Sequence, residues 1–488
     1  MTVTDRLAAA TAAPSIVAAL AALPAAARRR TDPPLAWTSV PIDPIDPIAL
    51  FSAARALDME AALWLQPATG RSIVGIGRAW TVETGGSDRF DAATAAWRAV
   101  LGDAVGPVGP VRSRIGGPTL LGGLGFAGTA PAADDPWASF GAASLVLPTF
   151  TVTAAGGVTG LTVALAPGRE AEPDPAEVEA SWDAIMQLAT TRDVDPATEP
   201  SDGGTLRVAG QCPDRAGWDR TVGLFAGAVG RGRIDKVVSA RRVVFEAATD
   251  LDIESSLRHL ARTAPESTTF AFVRDGTTFL GATPERLVRT DGRSFETVAI
   301  AGSAPRGGSP AEDAALATGL LASEKDREEH AVVVDTLRAD LASVAASLHV
   351  AETPAILPLR HVQHLVTPIT GTTRDEAGLL ALAGRIHPTP AVGGAPRDVA
   401  LAMIDEHEAF ERGWYAGPIG WLGADGDGEL MVALRCGLVA GREAVLFAGC
   451  GIVADSDPAR EWAESRLKLR TMIAALGGIA EDAEPVDR

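Results

Sequence analysis

The sequence predicts a mixed α/β (α+β) globular body, rich in short strands with helices set between them. Three observations predict it. Residues 34–165 alternate short apolar runs with Gly/Pro turns, as in LLGGLGFAG at 120–128 and SLVLPTFTVTAAGGVTGLTVAL at 144–165. Residues 269–302 read as consecutive strands joined by DGTT and TDGR turns. Three later segments, 324–348, 396–410 and 457–476, carry helical periodicity and good helix formers.

Taken in chain order, residues 1–33 form an alanine-rich extension, whose stretch 7–30 reads as a helix ending near Arg28–Arg30. It is a poor signal peptide: Asp5 cancels Arg6 at its start, and its arginine cluster lies on the wrong side. Residues 34–204 are the strand-rich N-terminal portion, closing with a polar surface connection at 166–204 that holds a central helix. Residues 205–480 make the C-terminal portion. There, 417–439 reads as a hairpin around ADGDG. The helix at 457–476 has Asp457 as N-cap, Pro458 at its first position and Gly477–Gly478 at its end.

Composition bounds the function. A chain of 488 residues with 47% hydrophobic and 22% charged side chains buries a large core. A net charge of −19 argues against nucleic acid or an anionic membrane as partner. No strongly apolar run of membrane-spanning length occurs, so no span is expected. Cys212, Cys436 and Cys450 form neither a disulfide framework nor a CxxC pattern, which fits a reducing, cytoplasmic setting. No phosphate-binding loop or dinucleotide fingerprint is present, which disfavours ATP and NAD.

Side chains suited to proton transfer gather late in the chain. All seven histidines lie at or after His259, and the single tyrosine is Tyr415. The only lysines are Lys236, Lys325 and Lys468. Four constellations follow. Asp326 and Glu329 are three apart on a predicted helix, and Glu461 and Glu464 repeat that spacing, with Lys468 on the same stripe. Such carboxylate pairs suit Mg²⁺, although solvated helix faces carry the same pattern. Glu285, in TPER, sits between a proline and an apolar strand; a buried carboxyl there keeps its proton, whereas a surface glutamate does not. His361 and His364, in HVQHLVTP, lack a third nitrogen or sulfur ligand at suitable spacing, so zinc is disfavoured. The glycines of AGS at 301–303, AVGGAP at 391–396 and AGCGIV at 448–453 either let backbone amides approach a carboxylate or make tight turns between strands.

Together the segments KVVSAR, ATPERLVR, IAGSAPRG, EKDREEHAVVV, HLVTPITG, HPTPAVGGAPRDVA, YAGPIGW, ALRCGLV, FAGCGIV and SDPAREWAESRLKL resemble, in order, the chorismate-utilising enzyme family over about residues 230–475. GGLGFAG at 122–128 and WASFGAASLVLP at 137–148 extend the resemblance upstream. It implies one large body like anthranilate synthase component I: two antiparallel sheets packed in a sandwich, helices outside, and interleaved N- and C-terminal portions. It implies a monomer acting on chorismate.

The resemblance also implies residue roles. Family members that use ammonia typically carry glutamine where this chain has Lys236; those that use water carry lysine. Lys236 thus matches the general base, argues against a glutaminase subunit, and Glu285 matches the general acid. Aminodeoxychorismate synthases place a nucleophilic lysine at Ala301. Many salicylate and anthranilate synthases carry threonine at Ala391, where isochorismate synthases carry alanine. Isochorismate is therefore the expected product, with salicylate formed by later pyruvate elimination as the alternative and an anthranilate synthase subunit less favoured. By the same resemblance Glu329 and Glu464 bind Mg²⁺, with Asp326 and Glu461 behind them. Gly302, His364, Ala391, Tyr415, Arg435, Gly449 and Lys468 match substrate-binding positions.

Overall fold

The computed structural model describes residues 35–102, 104–106, 116–165, 175–191, 205–358, 362–374 and 378–480. The predicted N-terminal helix, His361 and the flanks of helix Pro175–Thr191 lie outside these residues.

Among the described residues, two large sheets, of 13 and 10 strands, form the body. Their strand pairs are antiparallel, apart from the short strand Ile479–Ala480 beside Thr205–Cys212. A core of buried residues joins Trp64, Phe270 and Phe279 of the larger sheet to Leu121, Val288 and Ile419 of the smaller. The opposite face of the larger sheet packs Leu63, Ala271 and Leu446 against Phe51, Trp182, Leu257 and Met472 of four helices. Alternate side chains such as Leu63 and Trp64 therefore serve different cores. That two-sided burial explains why many strands read as unbroken apolar runs.

N- and C-terminal segments share both sheets. Strand Ala61–Gln66 pairs with Thr268–Arg274, and Thr119–Leu124 pairs with Pro418–Gly423. The consecutive strands expected in 269–302 form as Thr268–Arg274, Thr277–Thr283, Arg286–Asp291 and Ser294–Pro305. The hairpin Pro418–Gly423 with Gly428–Val432 forms around ADGDG. Helix Pro458–Ala475 is capped by Asp457, which accepts from the Arg460 amide at 3.0 Å.

Three expectations change. The helix expected over 324–348 stops at Leu341, and Ala345–Val350 becomes a strand beside Val362–Thr373. Pairing on that open edge outweighs a modest local helix preference. Residues 34–165 also hold helices Pro47–Ala56 and Arg89–Gly102, the first capped by Asp46, which accepts from the Ile48 amide at 2.9 Å. The AGS and AGCGIV glycines lie within strands, not turns. Among the described residues, no helix is long and apolar enough to cross a membrane. Cys212, Cys436 and Cys450 are unbridged.

Candidate active site

The site is organised by strand Lys236–Glu246. One edge pairs continuously with Glu443–Ile452, placing Ala240 opposite Gly449. The other edge is interrupted: Gly394–Ala395 pairs at Lys236 and Val237, and Thr205–Cys212 begins only at Arg242. The buried ion pair Glu408–Arg412 fills the gap. Glu408 accepts the Ala240 amide at 2.9 Å, while Arg412 donates to Val238 O at 2.8 Å and to Val392 O at 3.0 Å. These groups satisfy backbone that would otherwise be buried unpaired. They also bind the turn containing Ala391 to the strand that starts at Lys236. Sequence reading missed this pair, because Glu and Arg four apart ordinarily read as a solvated helix pair. Here helix Arg397–His407 has already ended.

Lys236 runs across Gly451, where an added Cβ would lie 2.5 Å from its Cε. Its Nζ donates to Glu329 Oε1 at 3.2 Å. Glu285 sits between strands Thr277–Thr283 and Arg286–Asp291, anchored by its own carbonyl, which accepts the Val432 amide at 2.9 Å. The residue keeps a partial opening to solvent, while its carboxyl is surrounded by protein. Burial pushes that carboxyl up to about 7, against the opposing pull of Lys236, Arg435 and Lys468.

Arg435 has backbone φ of +50°, a conformation non-glycine residues rarely adopt. Burial lowers its pKa, and among the described residues no carboxylate pairs with it. Tyr415 is buried, its ring stacked on Phe447 at 5.2 Å and 15°. Burial pushes its phenol above the usual range, so it stays protonated. An added Cβ on Gly449 would lie 2.9 Å from its hydroxyl. Lys468 donates to Gly449 O at 2.7 Å and pairs with Glu464 at 2.7 Å.

Gly302 takes φ +76° at a bulge between Ala301 and Ser303, beside Asp326. Asp326 in turn bonds the Ser323 hydroxyl. His364 Nδ1 lies 2.7 Å from Ser303 Oγ, and burial lowers its pKa, with Arg435 and Lys468 adding to the effect. It is neutral at pH 7. His330, next to Glu329, went unremarked in the sequence. Its buried ring bridges Ala301 O at 3.2 Å and Thr367 Oγ1 at 2.7 Å, tying helix Glu324–Leu341 to two strands.

The carboxylates fall into two groups. Glu329 faces Lys236. Glu461 and Glu464 gather with Cys450, their possible ligand atoms all within 4.8 Å of one another. Burial pushes the Cys450 thiol up to about 12, so it remains a thiol, donating to Glu461 O at 3.3 Å. Burial raises Glu461, and the neighbouring Glu464 adds to that rise. This concentration of carboxylate oxygen beside a protonated thiol suits a hard cation that prefers oxygen ligands. A separate cavity of about 220 Å³, lined by Trp37, Arg71 and Trp421 among others, shares none of these residues.

The family model described as chorismate binding enzyme matches residues 20–477. The chain is 37% identical over 457 residues to the salicylate biosynthesis isochorismate synthase of Pseudomonas aeruginosa, covering 92% of each. It is 32% identical over 444 residues to isochorismate synthase MenF of Bacillus subtilis, covering 90% of this chain and 92% of that one. The structure of MenF, the menaquinone-specific isochorismate synthase from Escherichia coli, superposes with a TM-score of 0.74 at 26% identity, covering 95% of this chain and 100% of that one. The chain that brings the Glu285 carboxyl together with Lys236, Arg435 and Lys468 belongs to the chorismate-binding enzyme family.

Proposed function

We propose that this chain is an isochorismate synthase, converting chorismate to isochorismate. The observation that carries the reading is Glu285, a buried carboxyl raised to about 7 with Lys236, Arg435 and Lys468 acting on it. In the proposed reaction Lys236 is the base that takes a proton from water as the water oxygen bonds to ring C2. Protonated Glu285 gives its proton to the departing C4 hydroxyl, the ring double bonds shift, and water leaves. One water enters and one departs, so substrate and product are isomers. Solvent returns the two catalytic groups to their starting states. Arginine is no substitute for Lys236, because it does not deprotonate under these conditions.

The other residues bind and orient. Arg435 and the Tyr415 hydroxyl receive the pyruvyl carboxylate, beside the backbone of Gly449. Lys468 stands near the ring carboxylate, and Gly302 and neutral His364 border the ring. Ala391 leaves room along the turn pinned to the Lys236 strand. Glu329 and Glu464 would hold Mg²⁺, with Asp326 and Glu461 behind them; the crowded Glu461–Glu464 carboxylates support the part of Glu464 alone, since Glu329 pairs with Lys236 instead. When bound, the ion would neutralise the substrate's ring carboxylate. Chorismate is a dianion, and these local cations offset the chain's net charge of −19. The enzyme acts as a single chain, without a glutaminase partner.

Product analysis from chorismate, with and without Mg²⁺, tests the reading. Isochorismate formed only with the metal is the expected result. Salicylate with stoichiometric pyruvate would replace it with the elimination reading, anthranilate formed from ammonia would replace the nucleophile, and no turnover would overturn it.

A further inference from the structure

Trp462 lies between Glu461 and Glu464 in sequence, and its indole is gripped from outside the helix. The guanidinium carbon of Arg241 sits 3.4 Å from the ring centroid. Trp218 meets the same ring nearly edge-on, at 6.1 Å and 66°. Arg241 also donates to Ser465 Oγ at 3.3 Å and to Gln211 Oε1 at 2.9 Å. The Ser465 hydroxyl donates onward to Trp462 O at 2.7 Å. Arg241 is only 3% exposed, and among the described residues no carboxylate pairs with it. A buried cation with neutral partners alone is costly, and an apolar side chain would fill the space more cheaply. Packing therefore does not account for an arginine at this position.

We infer that Arg241 is a positioning residue for the carboxylates of helix Pro458–Ala475, fixing the helix's rotation about its own axis by clamping Trp462 and Ser465. The inference rests on the proposed reading that Glu464 takes the metal. At about 100° per residue, Glu461, Glu464 and Lys468 form one stripe, and Trp462, Ser465 and Leu469 form the stripe beside it. The clamped stripe thus sets the direction of the carboxylate stripe. With side chains ending roughly 5–6 Å from the axis, a rotation of about 20° moves a carboxylate by roughly 2 Å. A misplacement on the order of 1 Å already costs about 100-fold where geometry is demanding. The start of the helix is held separately, by the Trp218 indole N–H donating to Pro458 O at 3.2 Å. Core packing of Leu469, Met472 and Ile473 holds the later turns, and Arg241 holds the rotation of the turns that carry Glu461 and Glu464.

The test measures Mn²⁺ binding to the full chain by electron paramagnetic resonance, without substrate, alongside thermal unfolding. Arg241→Met is expected to bind Mn²⁺ at least tenfold more weakly while keeping a native circular dichroism spectrum. In turnover assays the half-saturating Mg²⁺ concentration should rise by a similar factor. A folded Arg241→Met variant with wild-type Mn²⁺ affinity overturns the inference. If Arg241→Met does not fold, Arg241→Lys keeps the charge but loses the flat stack and the fork, and is read the same way: weaker Mn²⁺ binding supports the clamp, and unchanged binding overturns it. Glu464→Ala is measured in parallel. Unchanged Mn²⁺ affinity there overturns the metal reading itself, whereas a loss in Glu464→Ala with none in the Arg241 variants overturns the clamp alone.

Discussion

Lys236 Nζ lies 3.2 Å from Glu329 Oε1, so the proposed base and a proposed metal ligand touch across 93 positions of sequence. Both side chains are partly exposed, and an ion pair of that kind contributes about 0–1 kcal/mol. Lys236→Gln keeps a donor toward Glu329 and removes the base. Turnover is expected to fall by about 10²–10⁴ or more, with the unfolding midpoint and Mg²⁺ binding unchanged. Lys236→Arg should fail as well. A Lys236→Gln enzyme with full activity would remove lysine from the mechanism.

Glu285 supplies a pH prediction. Its carboxyl is raised from 4.5 to about 7, so the folded state keeps a proton that the unfolded chain has already lost. Stability that this proton confers is complete below about pH 4.5 and fades as pH climbs to about 7. Relative to Glu285→Gln, the wild type should therefore lose up to roughly 3 kcal/mol across that window. Chemical denaturation at several pH values measures the difference. Infrared difference spectra should show a protonated carboxyl band at pH 6 that is gone by pH 8 and missing from Glu285→Gln. A band that persists only in acid, below pH 5, would contradict the burial argument.

Among the described residues no carboxylate pairs with Arg435, which acts on Glu285 and is proposed to meet the substrate. Arg435→Met should raise the KM for chorismate by about 10–100-fold, the equivalent of one charged hydrogen bond of roughly 1.5–3 kcal/mol. It should also move the Glu285 carboxyl further up, because a cation that stabilises its charged form is gone. An unchanged KM, or a Glu285 band shifted toward acid, would count against the arrangement.

The Glu408–Arg412 pair carries a stability prediction. Both side chains are almost wholly buried. Glu408→Ala strands the Arg412 charge and frees the Ala240 amide, and should cost about 3–5 kcal/mol. Adding Arg412→Met to Glu408→Ala should recover a large part of that loss, as measured by urea unfolding. Additive losses in the double variant would show that the two groups do not act as a unit.

The strands of 269–302 and the helix beginning at Asp457 were legible in sequence, because period, turn residues and capping are local signals. Lys236, Glu285, Arg435, Tyr415 and Lys468 were legible only through ordered motifs, since nothing in their spacing tells which strands meet. The roles of Glu408, Arg412, Arg241 and His330 were not legible, although Arg241 and His330 lie within the quoted segments KVVSAR and EKDREEHAVVV. Each acts through a partner distant in sequence: Ala240, Val238, Trp462 and Thr367 respectively. The strand Ala345–Val350 was hidden for the same reason, because its partner strand, not its own composition, makes it extended.

The sharing of sheets between distant segments has a consequence for how the chain is made. Leu63 finds its sheet partner in Ala271, and Leu121 finds its own in Trp421. During synthesis one edge of strand Ala61–Gln66 waits until residue 271 has left the ribosome. Closing so long a loop adds little to its entropic cost, but it delays folding and leaves an apolar edge open to neighbouring nascent chains. Two halves divided at the polar connection would each be born with unpaired edges, and would depend on each other to become soluble.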